Sequence, residues 1–476
     1  MSILAELNLP IIESSVVTQD DATYCLTTGE KQLVIVGDGT GFDGKRHQDN
    51  VLLCSLSPEN ARALRQRLDW LRPTPLATQT SAGFGDRLGT ATPGHVLATT
   101  GTGVAPIFAQ QSVRENDRTG RTPQQVMDDA MWGVFQAGWR EPWGADADHM
   151  KTIADISPFV EAGYTFYTID PGDHVDDDAE TDSAKTLVDK VESLPWDVLQ
   201  SSPQDARQRL LKTFDLDTQK LVFDETILLK AMVKYGAAIA HATKIAQHLV
   251  QHLGSYQSFD LEMSVDETGT TTSLHEHFYI VSELKRLGVS IVSLAPRFVG
   301  SFEKGVDYIG DMDELDENIA GHATIMRYFG NHYKLSLHTG SDKFGVYPIA
   351  MQHTQGLVHL KTAGTSYLEA LRLVADIDSP LFRTILDFSR EHYEEDRKTY
   401  HVSAILDKVP AAATFTDERL PQLLNQFDAR QVLHVTFGSV LDHFGNELHG
   451  LIRKNEAGYH AYLKTHFDKH LVALRK

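Results

Sequence analysis

Between residues 81 and 378 the chain alternates two hydrophobic rhythms. Short β-prone runs stand at 82–87, 104–110, 144–149, 165–170, 259–264, 290–295, 333–338 and 357–361. A helical pattern follows each of them. Some boundaries carry their own punctuation. Ser273-Leu274-His275-Glu276 has the form of a capping box, and its apolar positions Phe278, Val281 and Leu284 lead to a stop at Gly288. A second helix runs from Met312 to Phe329 and stops at Gly330. About eight strands, each followed by a helix, predict an α/β fold of the TIM-type (β/α)8 barrel class.

The flanks follow other patterns. Residues 1–80 read as a small N-terminal α/β domain, with buried strands at 33–36 and 51–54. Its helix opens on Ser57-Pro58-Glu59-Asn60 and runs toward Leu71. Gly-Asp-Gly-Thr-Gly at 37–41 lacks the frame of a phosphate loop and is expected to be a turn. An acidic, polar insertion at about 171–223 interrupts the barrel, and its Asp176-Asp177-Asp178 run is expected to be a solvated loop. A long helix from Asp224 to about Leu253 then returns to the barrel. The extension 379–476 is mainly helical, with one β-prone run at 431–436 and a basic amphipathic end. It is expected to cap the barrel or to make a subunit contact, which leaves a homo-oligomer open.

Charge changes this picture in one respect. A net charge of −21 excludes a basic nucleic-acid face. An anionic small molecule would therefore need local cations within its pocket. No stretch has the roughly 18–20 apolar residues of a membrane span. Met1–Glu6 shows no leader, and only Cys25 and Cys54 are present, so a cytoplasmic protein without disulfides is expected.

In such a barrel the working residues gather at the C-terminal ends of the strands. Those ends carry Gly85-Asp86-Arg87, Gln110-Gln111 followed by Arg114, Asp146 to His149 followed by Lys151, and Asp170 to His174. The later strands carry Asp260, Glu262 and Asp266-Glu267, then Arg297 with Glu303-Lys304 beyond it, then His338, and finally His359 with Lys361. Imidazoles and carboxylates without thiolates suit a divalent Zn, Ni, Mn, Co or Fe. His149 and His338 are the first ligand candidates, and the third stays open among Glu303, His359 and His322. Asp148 and Glu262 form the acid–base pair. Glu262 alternates with Leu261 and Met263, so it faces the interior, where a carboxylate must be paired or liganding. Arg87, Arg114, Lys151, Lys304, Lys343 and Lys361 supply cations. Ser341 lies in a glycine-containing loop suited to an anionic group.

Several strings resemble the tagaturonate epimerase family. They are Phe108-Ala109-Gln110-Gln111-Ser112-Val113-Arg114-Glu115-Asn116, Gly144 to His149, Thr168-Ile169-Asp170-Pro171 and Ser264 to Thr268. To these are added Leu337-His338, Gly340 to Phe344, and Lys361 to Ala370. The resemblance runs from about Gly83 to the C-terminus. It implies a divalent-metal epimerase acting on a small-molecule ketohexuronate, interconverting D-tagaturonate and D-fructuronate. It further implies Asp148 as proton acceptor, Glu262 as proton donor, and His149 and His338 as ligands, and it favours Glu303 as the third. Arg114, Lys304, Ser341, Lys343 and Lys361 are then the expected substrate contacts.

The two ketoacids differ at C4, where neither the ketone nor the carboxylate acidifies the C–H bond, so a retro-aldol route is expected. No dinucleotide fingerprint supports a hydride route. Two rivals stand beside this reading: a metal aldolase or ketose isomerase, and a non-catalytic barrel subunit of an aldolase complex.

Overall fold

The computed structural model describes residues 7–217 and 219–475; Met1–Glu6, where no leader was expected, lies outside the described residues. The N-terminal unit is an antiparallel sheet of β1 (Ile11–Gln19), β2 (Ala22–Thr27), β3 (Leu33–Gly37), β4 (Gly44–Gln48) and β5 (Val51–Cys54), in the order β1-β2-β3-β5-β4. The unbroken Leu33-Val34-Ile35-Val36 run makes sense because both faces of β3 are covered. Leu33 and Ile35 join the main core, while Val34 and Val36 join a second cluster with Cys25. Helix Pro58–Arg67 is capped by Ser57 and packs on this sheet. The Gly37–Gly41 segment is a turn: Asp38 caps the Thr40 N–H, and no helix follows. Gly37, at φ +110°, lies too close to the Asp21 carbonyl to carry a Cβ.

Eight parallel strands close the barrel: β6 (Ser81–Gly85), β7 (Ala105–Ser112), β8 (Gly144–Met150) and β9 (Phe166–Ile169) on one side. The insertion contributes a hairpin, β10 (Thr213–Asp215) and β11 (Lys220–Val222). The barrel then resumes with β12 (Asp260–Ser264), β13 (Ser293–Ala295), β14 (Lys334–Leu337) and β15 (Val358–Thr362), and β15 pairs with β6. Outward alternate residues such as Ala145, Ala147, Leu261 and Met263 are buried against the helical ring. This two-sided burial explains why the strands are short and tolerate polar residues only inward.

Two expectations need correction. Residues 431–436 are not a strand: they belong to helix Phe427–Val435 and the residue after it. That helix is buried along Asp428–Val435, which gives a β-like apolar run without β geometry. Nor is the Asp176–Asp178 run simply solvated. The Asp177 carboxylate accepts the Gly269 N–H at 2.7 Å and the Thr270 hydroxyl at 2.8 Å, so it pins the insertion to the loop after β12. The C-terminal segment lies over the barrel mouth, where Gln431 reaches Glu303 and Arg87 reaches the His434 carbonyl. No helix among the described residues is long and apolar enough to cross a membrane.

Candidate active site

Strand β8 sets one wall of the site. Its alternation turns Asp146 and Asp148 inward and its alanines outward. His149 would then point away, but its backbone adopts φ +54° and the register with β9 shifts, so the imidazole stays beside Asp148. Left-handed backbone at a histidine costs about 1 kcal/mol, and such strain collects at working sites. Thr339 (φ +47°) and Asp342 (φ +64°) bend the chain the same way just after His338.

The inward residues of three strands converge on the ammonium of a fourth. Lys361 Nζ on β15 lies 2.8 Å from Asp146 Oδ2, 2.7 Å from Asp148 Oδ1 and 2.9 Å from Glu262 Oε1. It also donates to the Thr168 hydroxyl. Beside this group His149 Nδ1 donates to Asp148 at 2.7 Å. His338 donates from Nε2 to Glu262 at 2.6 Å and from Nδ1 to Asp266 at 3.1 Å. The two imidazole centroids are 5.0 Å apart.

These contacts decide the protonation states. Burial penalises the carboxylate of Asp148, yet His149 and Lys361 outweigh it and hold the group well below its ordinary range. Glu262 is held down in the same way against burial by Lys361 and His338. Asp266 is held down against burial by the two histidines. At Asp146 burial prevails over Lys361 and pushes the group up to about 7. Burial disfavours the charged imidazoles too, but Asp148 raises His149 and Asp266 raises His338. Four buried acids thus face three cationic groups, a balance in which each imidazole charge is matched by a carboxylate.

The donor set fits a divalent cation. One ligand atom from each of Asp148, His149 and His338 falls within 4.8 Å of the other two. His149 Nε2 is buried without a hydrogen-bond partner, and Asp266 Oδ1 is 3.6 Å away. Two imidazoles with carboxylate oxygens suit the borderline first-row metals.

The structure does not bring Glu303 to these ligands. Its Oε2 accepts from the Ser403 N–H at 2.9 Å, the Ser403 hydroxyl at 2.7 Å and Gln431 Nε2 at 2.8 Å, so the C-terminal segment occupies it. His359 lies deeper in the barrel, on Ser81. His322 packs between helices, bonded to His277.

The expected substrate contacts also divide. Lys343 is caged: its Nζ donates to the carbonyls of Glu303, Val306 and Ser341, so it staples two loops and has no hand free for a ligand. Arg87 is locked to Glu115 at 2.8 Å, Lys151 leans on Asp173, and Arg114 leans on Glu267 and the Tyr400 ring at the rim. Lys304 differs: among the described residues its Nζ bonds only to the Thr339 hydroxyl, at 2.9 Å. It lines both a cavity of about 320 Å³, with Asp266, Arg297, Tyr400 and His401, and a small inner pocket with Asp148, Ser341 and Lys361.

Sequence reasoning did not single out four members of this site. Asp146 was detectable, since it shares the inward face of β8 with Asp148. Asp266 follows its strand by two residues, and Gln110 ends β7; both positions qualified without distinction. His434, which lines the inner pocket, had no local signal, because it arrives from helix Phe427–Val435.

Comparison with known proteins points to one family. The sequence model of a family described as tagaturonate epimerase matches residues 12–474. A Tagaturonate/fructuronate epimerase from Thermotoga maritima is 42% identical over 474 residues, covering 98% of this chain and 96% of that protein. The native crystal structure of the fructuronate-tagaturonate epimerase UxaE from Cohnella laeviribosi superposes with a TM-score of 0.93 at 37% identity, covering 99% of this chain and 97% of that one. A form of that enzyme with one bound glycerol gives the same TM-score and coverage.

Proposed function

The chain belongs to the tagaturonate epimerase family, and from that premise we propose that it interconverts D-tagaturonate and D-fructuronate with a divalent cation at the barrel mouth. The observation that carries the chemistry is the sharing of one ammonium, that of Lys361, by Asp148 and Glu262 directly beside His149 and His338. His149, His338 and Asp266 would hold the cation, each imidazole giving up one ring proton to do so, and Asp266 because its Oδ1 faces both imidazoles. Bound there, a cation supplies Lewis acidity to the ketone and its neighbouring oxygen.

The chain's own groups handle the protons. Asp148, held ionised, takes the O4 proton as the C3–C4 bond breaks. The electron pair of that bond passes into C2–C3 and onto the ketone oxygen, leaving a three-carbon enediolate and a three-carbon aldehyde acid. Re-addition to the opposite face of the aldehyde restores the bond with C4 inverted, and O4 recovers its proton. Glu262, on the same ammonium, serves that second geometry once the proton taken by Asp148 has passed to it through Lys361 Nζ. The ammonium gives one proton to Glu262 as it accepts another from Asp148. Lys361 keeps both carboxylates charged and in place. The two cysteines, both buried and unpaired, agree with a reducing cytoplasm.

The test is to incubate metal-stripped protein with D-fructuronate, restore single divalent cations, and follow D-tagaturonate. Metal-restored conversion that His149→Ala and His338→Ala each abolish is the expected result. Conversion indifferent to metal would sink the cation, and accumulation of three-carbon products without epimer would move the reading to an aldolase.

A further inference from the structure

Beneath the roof of the site lies a small pocket of about 30 Å³, too small for a whole six-carbon acid. Besides His149, whose Nε2 faces the proposed cation, two of its lining side chains have unmet polar atoms. Gln110 is buried at the end of β7, and neither its amide nitrogen nor its amide oxygen has a hydrogen-bond partner; the same holds for Nδ1 of His434. An unpaired buried amide or imidazole is costly, and the remedy is a partner from outside the chain. The backbone also makes room for these two groups. A Cβ on Gly83 would overlap the Gln110 amide, and one on Gly364 would overlap the His434 ring. Both side chains are held in place: Gln110 by its strand, and His434 by Arg87, which donates to its carbonyl at 3.1 Å.

The character of these atoms selects the ligand group. A glutamine amide and a neutral imidazole each offer a donor and an acceptor, which matches a hydroxyl. A carboxylate only accepts. The pocket also borders Asp148, and its Lys361 is already shared by three acids, which leaves Lys304 as the one lining lysine without a carboxylate partner among the described residues. Lys304 lines both this pocket and the larger cavity outside, and only on the outer side does a second cation, Arg297, stand with it; neither is paired to a carboxylate among the described residues.

Resting on the epimerase reading, we infer that Gln110 and His434 are specificity-determining residues that bind the uncharged, hydroxyl-bearing end of the ketohexuronate, with its carboxylate turned outward to Lys304. This orientation puts the fragment that must present its other face in the roomier cavity, and anchors the fragment that must not move. It gives helix Phe427–Val435 of the C-terminal extension a direct share in substrate recognition.

The test compares D-fructuronate turnover with competitive inhibition by a neutral ketohexose, in holoenzyme carrying Gln110→Met, His434→Ala or Lys304→Met. Gln110→Met removes two unpaired polar atoms, so its melting temperature should hold or rise while kcat/KM falls roughly 10- to 100-fold. Gln110→Met and His434→Ala should weaken the neutral sugar by a similar factor, whereas Lys304→Met should weaken the hexuronate alone. Loss of hexuronate binding alone in the Gln110 and His434 variants would place the carboxylate inside and overturn the orientation. A melting temperature that falls in step with activity in Gln110→Met would reduce that residue to a structural role and overturn its assignment. Unchanged kinetics would do the same. Failure of the unsubstituted enzyme to convert D-fructuronate would instead strike the epimerase reading itself and take the orientation with it.

Discussion

At the mouth of the barrel the Lys361 ammonium meets three carboxylates; at the floor of the same barrel Lys334 meets one hydroxyl, that of Ser81, at 2.8 Å. Both lysines are buried. At the mouth, burial disfavours the charge but the surrounding acids raise Lys361 above its ordinary value. At the floor, burial wins and lowers Lys334 to about 8. His359, bonded through Nδ1 to the same Ser81, is held neutral by burial. Asp260, the nearby acid, is turned to the N–H groups of Leu76 and Ala77 and closes the floor instead. Inward alternation on shared strands therefore builds two different interiors. What separates them is whether each buried charge has a partner, and only the mouth sustains the ionised groups that proton transfer requires.

The comparison breaks most dramatically at Lys361. Lys361→Met leaves three buried carboxylates without their cation, so turnover should be lost. Stability should fall by about 3–5 kcal/mol, read by urea unfolding. A folded, active Lys361→Met protein would deny that the ammonium organises the site.

Lys334→Met tests the other end. The folded pKa of Lys334 lies below that of the unfolded chain, so between about pH 8 and 10.5 the unfolded state binds more protons and stability rises with pH. The span is about 3 kcal/mol for a fully buried group. Replacing Lys334 should remove that rise, gain stability at neutral pH and spare turnover. A pH–stability curve that keeps its slope would show that the floor lysine is not the source.

The smallest effect is expected where the insertion meets the mouth. Asp177→Ala removes the acceptor for Gly269 and Thr270. It should cost about 1–2 kcal/mol locally, seen as faster amide exchange at residues 266–272 with the rest of the barrel unchanged. Uniform exchange across the barrel would mean that the tether is not local.

Much of the barrel was legible because its signal is local. The eight β-prone runs all became strands of the closed barrel, and the Ser273–Glu276 capping box formed with both of its bonds. The 431–436 run failed for a physical reason: a fully buried helix and a fully buried strand share an unbroken apolar pattern, and period alone cannot separate them. Glu303 and Lys343 had suitable chemistry after suitable strands. Their carboxylate and ammonium were nonetheless taken by partners up to 128 positions away in the chain, Gln431 among them.

By itself, then, the sequence determined the alternation of strands and helices, the inward side of each strand and the polar residues at the strand ends. All of these depend on neighbours within a few positions. Only the tertiary structure decided which polar ends meet. Barrel closure brings Lys361 to Asp148, 213 residues apart, and helix Phe427–Val435 of the folded-back extension brings His434 to the pocket. Side-chain direction is set by the local backbone, but pairing among buried charges is set by strand register and by what covers the mouth.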